Sequence, residues 1–151
     1  PEKIPVNLSG ERAVDRPVTM AGEDYRITCV SMGNPHCVIF GEDPDGLDLP
    51  EIGPLFEHDP LFPQGVNTEF IQVLDSRTLK MRVWERGSGE TLACGTGATA
   101  ALAVSALLGK CGSEADVLLR GGTLHIEWNR KENLLYMTGP AEFVFDGEVT
   151  L

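Results

Sequence analysis

Apolar and polar residues alternate in short runs along most of this chain, and the alternation breaks in one place. "RPVTM" and "YRITCVS", separated by the turn-forming "AGED", carry the period of two that sends successive side chains to opposite faces, and they predict a strand hairpin before Ser31. "HCVIF" predicts another short strand, closed by the turn cluster "GEDPDG". "LPEIGPLFEHDPLFP" has helical spacing at Ile52, Leu55 and Phe56, but its prolines allow only a brief helix. "NTEFIQVLD" and "TLKMRVWER" predict two strands joined by a polar turn at Ser76 and Arg77. Later, "ADVLLR", "TLHIEWN", "LLYMTG" and "AEFVFDGEV" predict four more, set apart by Gly-Gly, Arg-Lys-Glu-Asn and Gly-Pro turns.

The break is "ETLACGTGATAALAVSALLGK", residues 90–110. From Ala98 to Leu108 only Thr99 and Ser105 are polar, and a helix that is apolar all round must be enclosed by protein. Gly109 supplies the stop. One enclosed helix among many strands predicts an α+β fold in which a strongly curved sheet, a half-barrel, wraps around the segment 95–108. No repeat, linker or low-complexity tract divides the chain, and 151 residues suffice for one domain over 1–151.

Charge narrows the partners. The formal net charge is −11 with no cluster of Lys and Arg, so a phosphate backbone is repelled and nucleic acid is not expected. The acidic residues are scattered, as in "GEDPDGLDLPE", which suits a solvated surface. No apolar run approaches the ~20 residues of a spanning helix, so no membrane is expected. The start has no basic stretch followed by an apolar one and reads as lacking a secretory signal. Cys29, Cys37, Cys94 and Cys111 lack CxxC spacing and suit reduced thiols in the cytoplasm. Cys29, His36, Cys37, His58 and His125 show no metal-ligand spacing, so no metal is expected.

Cys94 stands apart. "GSGETLACGTG" surrounds one thiol with four glycines and three hydroxyls, a composition that costs order unless the backbone must approach something closely. The N–H groups of Gly95, Thr96 and Gly97 would point out of the helix start, where the dipole is positive, and would suit a carboxylate. A helix terminus moves a thiol toward thiolate by about one pKa unit, and burial moves it back, so a base near neutral pH needs a second helper. Gly95, Gly97 and Ala100 also fit the dinucleotide fingerprint G-x-G-x-x-A, with Glu114 and Asp116 at the distance of a ribose-binding acid. Those acids precede their strand instead of ending it, and the neighbouring strands suggest hairpins in place of a β-α-β alternation.

Four segments together, "SMGNPHCVIF", "LFPQGVNTEF", "RVWERGSGETLACGTGA" and "MTGPAEFVFDGE", resemble the C-terminal half of the diaminopimelate epimerase family, in the family's order and over nearly the whole chain. Proline racemase and its relatives are more distant cousins. The resemblance implies a mixed or antiparallel curved sheet and a pyridoxal-independent isomerase that interconverts LL- and meso-diaminopimelate on the route to lysine and peptidoglycan. It implies no cofactor. Two cysteines would act from opposite faces of one carbon, and Cys94 matches the second of them. His36 and Glu85 match residues that tune the thiols. Asn34, Asn67, Glu85, Arg86, Gly95 and Thr96 match substrate-binding positions.

On pattern alone these residues have plainer readings: Asn34 and Asn67 as turn formers, Glu85 and Arg86 as solvated charges at a strand end, and His36 as a packed side chain. Their joint occurrence, with Cys94 between five and ten residues beyond the charged pair Glu85 and Arg86, favours a site. No second Cys-Gly turn opening a helix occurs in the 151 residues. The resemblance therefore implies that the first cysteine belongs to an N-terminal half of similar fold, that this chain alone is inactive, and that its partners are diaminopimelate, that missing half and, through exposed sheet edges, a second copy of itself. Two competing readings are a carboxylate- or dinucleotide-binding module without two-base chemistry and a proline racemase-like isomerase half.

Overall fold

A computed structural model describes residues 3–150. Strands β1 (Arg16–Met20) and β2 (Glu23–Ser31) form the expected hairpin. Its two-residue turn, Ala21 and Gly22, has φ of 51° and 82°, the left-handed pair whose twist matches that of the flanking strands. Strand β3 (Pro35–Phe40) returns antiparallel to β2. A single 3₁₀ turn at Pro44–Gly46 leads into helix α1 (Leu49–Glu57), where the Asp48 carboxylate accepts from the Glu51 N–H at 3.3 Å and so caps the first turn. Strand β4 (Asn67–Asp75) then lies parallel to β3, and β5 (Thr78–Glu85) antiparallel to β4. The two-residue strand β6 (Gly89–Glu90) doubles back on the end of β5. Helix α2 (Gly95–Leu107) follows, then β7 (Glu114–Leu119), parallel to the start of β5, and β8 (Gly122–Asn129) and β9 (Leu134–Thr138), each antiparallel to its predecessor.

These strands make one mixed sheet in the order β1-β2-β3-β4-β5-β7-β8-β9, with β6 on the far half of β5. Two of its connections, β3-α1-β4 and β5-α2-β7, are β-α-β crossovers, where the alternating sequence suggested hairpins throughout. Helix α2 touches β2 to β5 and β7 to β9, so the sheet does curve around it. Period-two alternation divides the sheet into two apolar faces. Val38, Ile71, Met81, Val83, Val117 and Ile126 pack against Ala98, Ala101 and Leu102 of α2. Ile27, Cys37, Ile39 and Phe70 turn the other way and pack against Leu49 and Phe56 of α1.

Helix α1 is rotated from the expected stripe. Phe56 is fully buried, but Leu55 is 52% exposed. The rotation follows from Gly53: a Cβ there would come within 2.2 Å of the Trp84 ring, so this face alone lets the helix lie flat on β5. Helix α2 matches its sequence reading at both ends. Its last turn closes with Gly109 N–H to Ala106 O at 3.3 Å and Lys110 N–H to Ser105 O at 2.8 Å, with Gly109 at φ 69°. That pattern satisfies the carbonyls a helix end leaves over.

One expected strand does not form. "AEFVFDGEV" has no regular structure, and Phe143, Val144, Phe145 and Val149 are 78–85% exposed. Its alternation suits a strand, but no edge of this sheet pairs with it, and backbone groups left unpaired stay in solvent.

Candidate active site

The crossover topology sets the site's position. Because β3 and β4 are parallel their first residues lie side by side, with His36 opposite Asn67, and antiparallel β5 brings its last residues to the same end. The start of α2 follows β5 and β6 directly, so it joins them there. Asn34, His36, Asn67, Glu85, Arg86 and Cys94 come from four separate segments and are brought to this one end of the sheet.

Cys94 is the N-cap of α2, with an extended backbone (φ −136°, ψ 110°). Its Sγ accepts from the Gly97 N–H at 3.3 Å and lies 3.6 Å from the Thr96 hydroxyl, and the residue is only 6% exposed. This corrects the expectation of three outward amides. The thiol occupies Gly97 N–H, and only the N–H groups of Gly95 and Thr96 have no partner among the described residues. Burial pushes the Cys94 thiol up from its usual pKa; the Thr96 hydroxyl and Gly97 N–H pull it down, and the charges of Glu85 and Glu69 add to the rise. Desolvation outweighs the helix terminus, so Cys94 rests as a thiol.

His36 is completely buried on the face of the sheet that carries α2. Its Nδ1 lies 2.6 Å from Glu69 Oε1 and its Nε2 2.9 Å from Asn34 Oδ1. Asn34, half-buried, donates from Nδ2 to the Thr96 hydroxyl at 3.4 Å and so links the His36 pair to the start of α2. Asn67 is a brace: its Nδ2 donates to Pro35 O at 2.7 Å and its Oδ1 accepts from Arg86 N–H at 2.9 Å. One N–H and one lone pair of that amide remain for other use. Glu85 accepts from the Thr91 hydroxyl. The exposed Arg86 donates from Nη1 to Gln64 O at 3.1 Å and forms no ion pair among the described residues, which leaves its other donors for an anion.

Two carboxylates at this end were missed. Glu57 is buried and accepts from Trp84 Nε1 at 2.7 Å and Gly87 N–H at 2.8 Å, fixing the turn that carries Glu85 and Arg86. Glu69 is wholly buried, and burial pushes its carboxyl up to about 7 against the opposing pull of His36. Its Oε2 has no partner among the described residues. The strand pattern held a clue, since Glu69 shares its face with Ile71 and Val73 and so had to point inward.

The dinucleotide alternative does not survive the geometry. Glu114 and Asp116 open β7, which runs parallel to β5, so they lie at the end of the sheet opposite the start of α2. Glu114 is held by Arg77 at 2.5 Å and Asp116 by His125 at 2.7 Å.

By fold, the chain belongs with α+β proteins in which a curved sheet encloses a helix. It superposes on a Bacillus anthracis phenazine biosynthesis protein of the PhzF family with a TM-score of 0.52 at 19% identity, over 75% of this chain and 38% of that one. The sequence is more specific, since a family model described as diaminopimelate epimerase matches residues 28–144. Two relatives with that name, from Synechocystis sp. and Acetivibrio thermocellus, are 57% and 56% identical over 99% and 100% of this chain. The chain is a member of the diaminopimelate epimerase family. It spans about half the length of these relatives, 54% of each.

Proposed function

We propose that this chain is the C-terminal half of a cytoplasmic, cofactor-independent epimerase that interconverts LL- and meso-2,6-diaminopimelate. The observation that carries the reading is the thiol of Cys94 at the cap of an enclosed helix, beside two unpartnered N–H groups. In the forward direction one base removes the α proton, and the C–H electron pair flows into the carboxyl group. The N–H groups of Gly95 and Thr96 oppose the charge that develops there. Cys94, resting protonated, delivers a proton from its own face; in reverse its thiolate takes the proton back. Retention of the thiol proton by burial suits the donor role.

Inversion needs a second acid–base group on the opposite face, and that group comes from an N-terminal half of similar fold. Glu85 holds a substrate ammonium and Arg86 grips a carboxylate, so the two ends of the substrate are read by charges of opposite sign. The exposed strand-like segment 141–149 and the sheet edges face that other half, or a second copy when it is absent.

The test is Cys94→Ala in the full-length enzyme. Solvent deuterium exchange into diaminopimelate and epimerisation are lost, while ligand binding measured by calorimetry stays within about threefold. Retained epimerisation refutes the reading. Loss of binding together with turnover, in a protein that is still folded, supports a binding module instead.

A further inference from the structure

Glu69 and His36 face each other with no exposed surface, their nearest atoms 2.6 Å apart. The other groups acting on the pair are Asn34, through its Oδ1, the backbone N–H of Glu69, the negative Glu85, and the thiols of Cys94 and Cys37; no Lys or Arg forms an ion pair with Glu69 among the described residues. A lone carboxylate here would be a buried net charge with one oxygen unpartnered, beside a second carboxylate. Such a state is expensive, and the pair avoids it by holding two protons between its members. Either Glu69 is ionised and His36 is an imidazolium, or Glu69 is a carboxylic acid and His36 is neutral.

Both of these states place the protons alike, and the remaining neutral tautomer, with the proton on Oε2, would bury an O–H that has no acceptor among the described residues. One proton lies between Oε1 and Nδ1, and the other is on Nε2, which must donate. The acceptor at 2.9 Å is Asn34 Oδ1, and this turns the Asn34 NH2 away from the ring, toward the Thr96 hydroxyl at 3.4 Å and the start of α2. Without a buried carboxyl, His36 could carry its single proton on Nδ1, and the Asn34 amide would then flip to donate to a bare Nε2. We propose that Glu69 is a positioning residue that, acting through His36, fixes the Asn34 amide so that its N–H donors join those of Gly95 and Thr96 at the mouth of α2. These converging N–H donors suit a carboxylate there; that ligand rests on the proposed function, whereas the proton placement does not.

Nitrogen NMR of the chain labelled with ¹⁵N-histidine tests it, His36 being assigned by His58→Gln and His125→Gln at the two more exposed rings. In the folded protein His36 Nε2 stays proton-bearing on both sides of neutral pH. A bare Nε2 at neutral pH overturns the proposal, whatever the chain catalyses. In Glu69→Gln, whose amide can donate to or accept from Nδ1, the Nδ1–H tautomer becomes populated, and in the full-length enzyme KM rises about tenfold with a smaller fall in kcat. An unchanged tautomer in that variant overturns the role of Glu69. If Glu69→Gln does not fold, the wild-type Nε2 measurement still decides.

Discussion

Replacing Gly97 by alanine places one methyl group at the narrowest point of the site. The new Cβ would lie 2.9 Å from Glu69 Oε1, 3.2 Å from Cys94 Sγ and 3.3 Å from Cys94 Cβ. On an exposed helix the same change stabilises by about 1 kcal/mol through backbone entropy alone. Here none of the neighbours can yield cheaply. Glu69 is pinned by His36 at 2.6 Å, and Cys94 is the cap residue whose sulfur holds Gly97 N–H. Overpacking of this kind costs about 1–3 kcal/mol, so after the helix gain Gly97→Ala is destabilised by about 1 kcal/mol, with a Tm about 3 °C lower. Urea titration checks this: the midpoint falls while the slope is unchanged. A variant as stable as the parent, or more stable, would refute the close approach of Glu69 and Cys94 to this backbone.

Two further outcomes follow from buried groups. Thr68 is fully buried with its hydroxyl unpartnered among the described residues, so the isosteric Thr68→Val stabilises the chain by about 1 kcal/mol in the same titration; a loss of stability would mean the hydroxyl is bonded. Because burial raises the Cys94 pKa, the folded chain keeps a proton that the unfolded chain releases, and this contribution to stability is lost as pH rises past the ordinary thiol range. Alkylation of Cys94 by iodoacetamide, followed by peptide mass spectrometry, has a midpoint at higher pH in the native chain than in urea; a lower native midpoint contradicts a desolvated thiol.

Local patterns were legible and remote pairings were not. The β1–β2 hairpin and both ends of α2 depend on nearby residues, Ala21 and Gly22 in one case, Cys94 and Gly109 in the other, and their sequence carries the instruction. The parallel pairs β3–β4 and β5–β7 join residues 31 and 38 positions apart, as His36 with Asn67 and Thr78 with Asp116, and no local signal specifies such a register. The C-terminal strand was misjudged because alternation shows what a segment would do with a partner and is silent on whether one is present. Family resemblance named Asn34, His36, Asn67, Glu85, Arg86 and Cys94, and the fold gathers them. Glu69 escaped notice because a charge within a strand usually faces water; only the identity of its i+2 neighbours pointed inward.

The stretch around Phe143–Phe145 has the chemistry of an adhesive: three consecutive large apolar side chains on an unpaired backbone. Glu142, Asp146 and Glu148 bracket it, acting as gatekeepers, and the chain's charge of −11 sets like-charged copies against one another. Any self-association of the free chain would therefore be governed by ionic strength: dilute salt sets copies apart, whereas concentrated salt would screen the repulsion around the Phe-Val-Phe run.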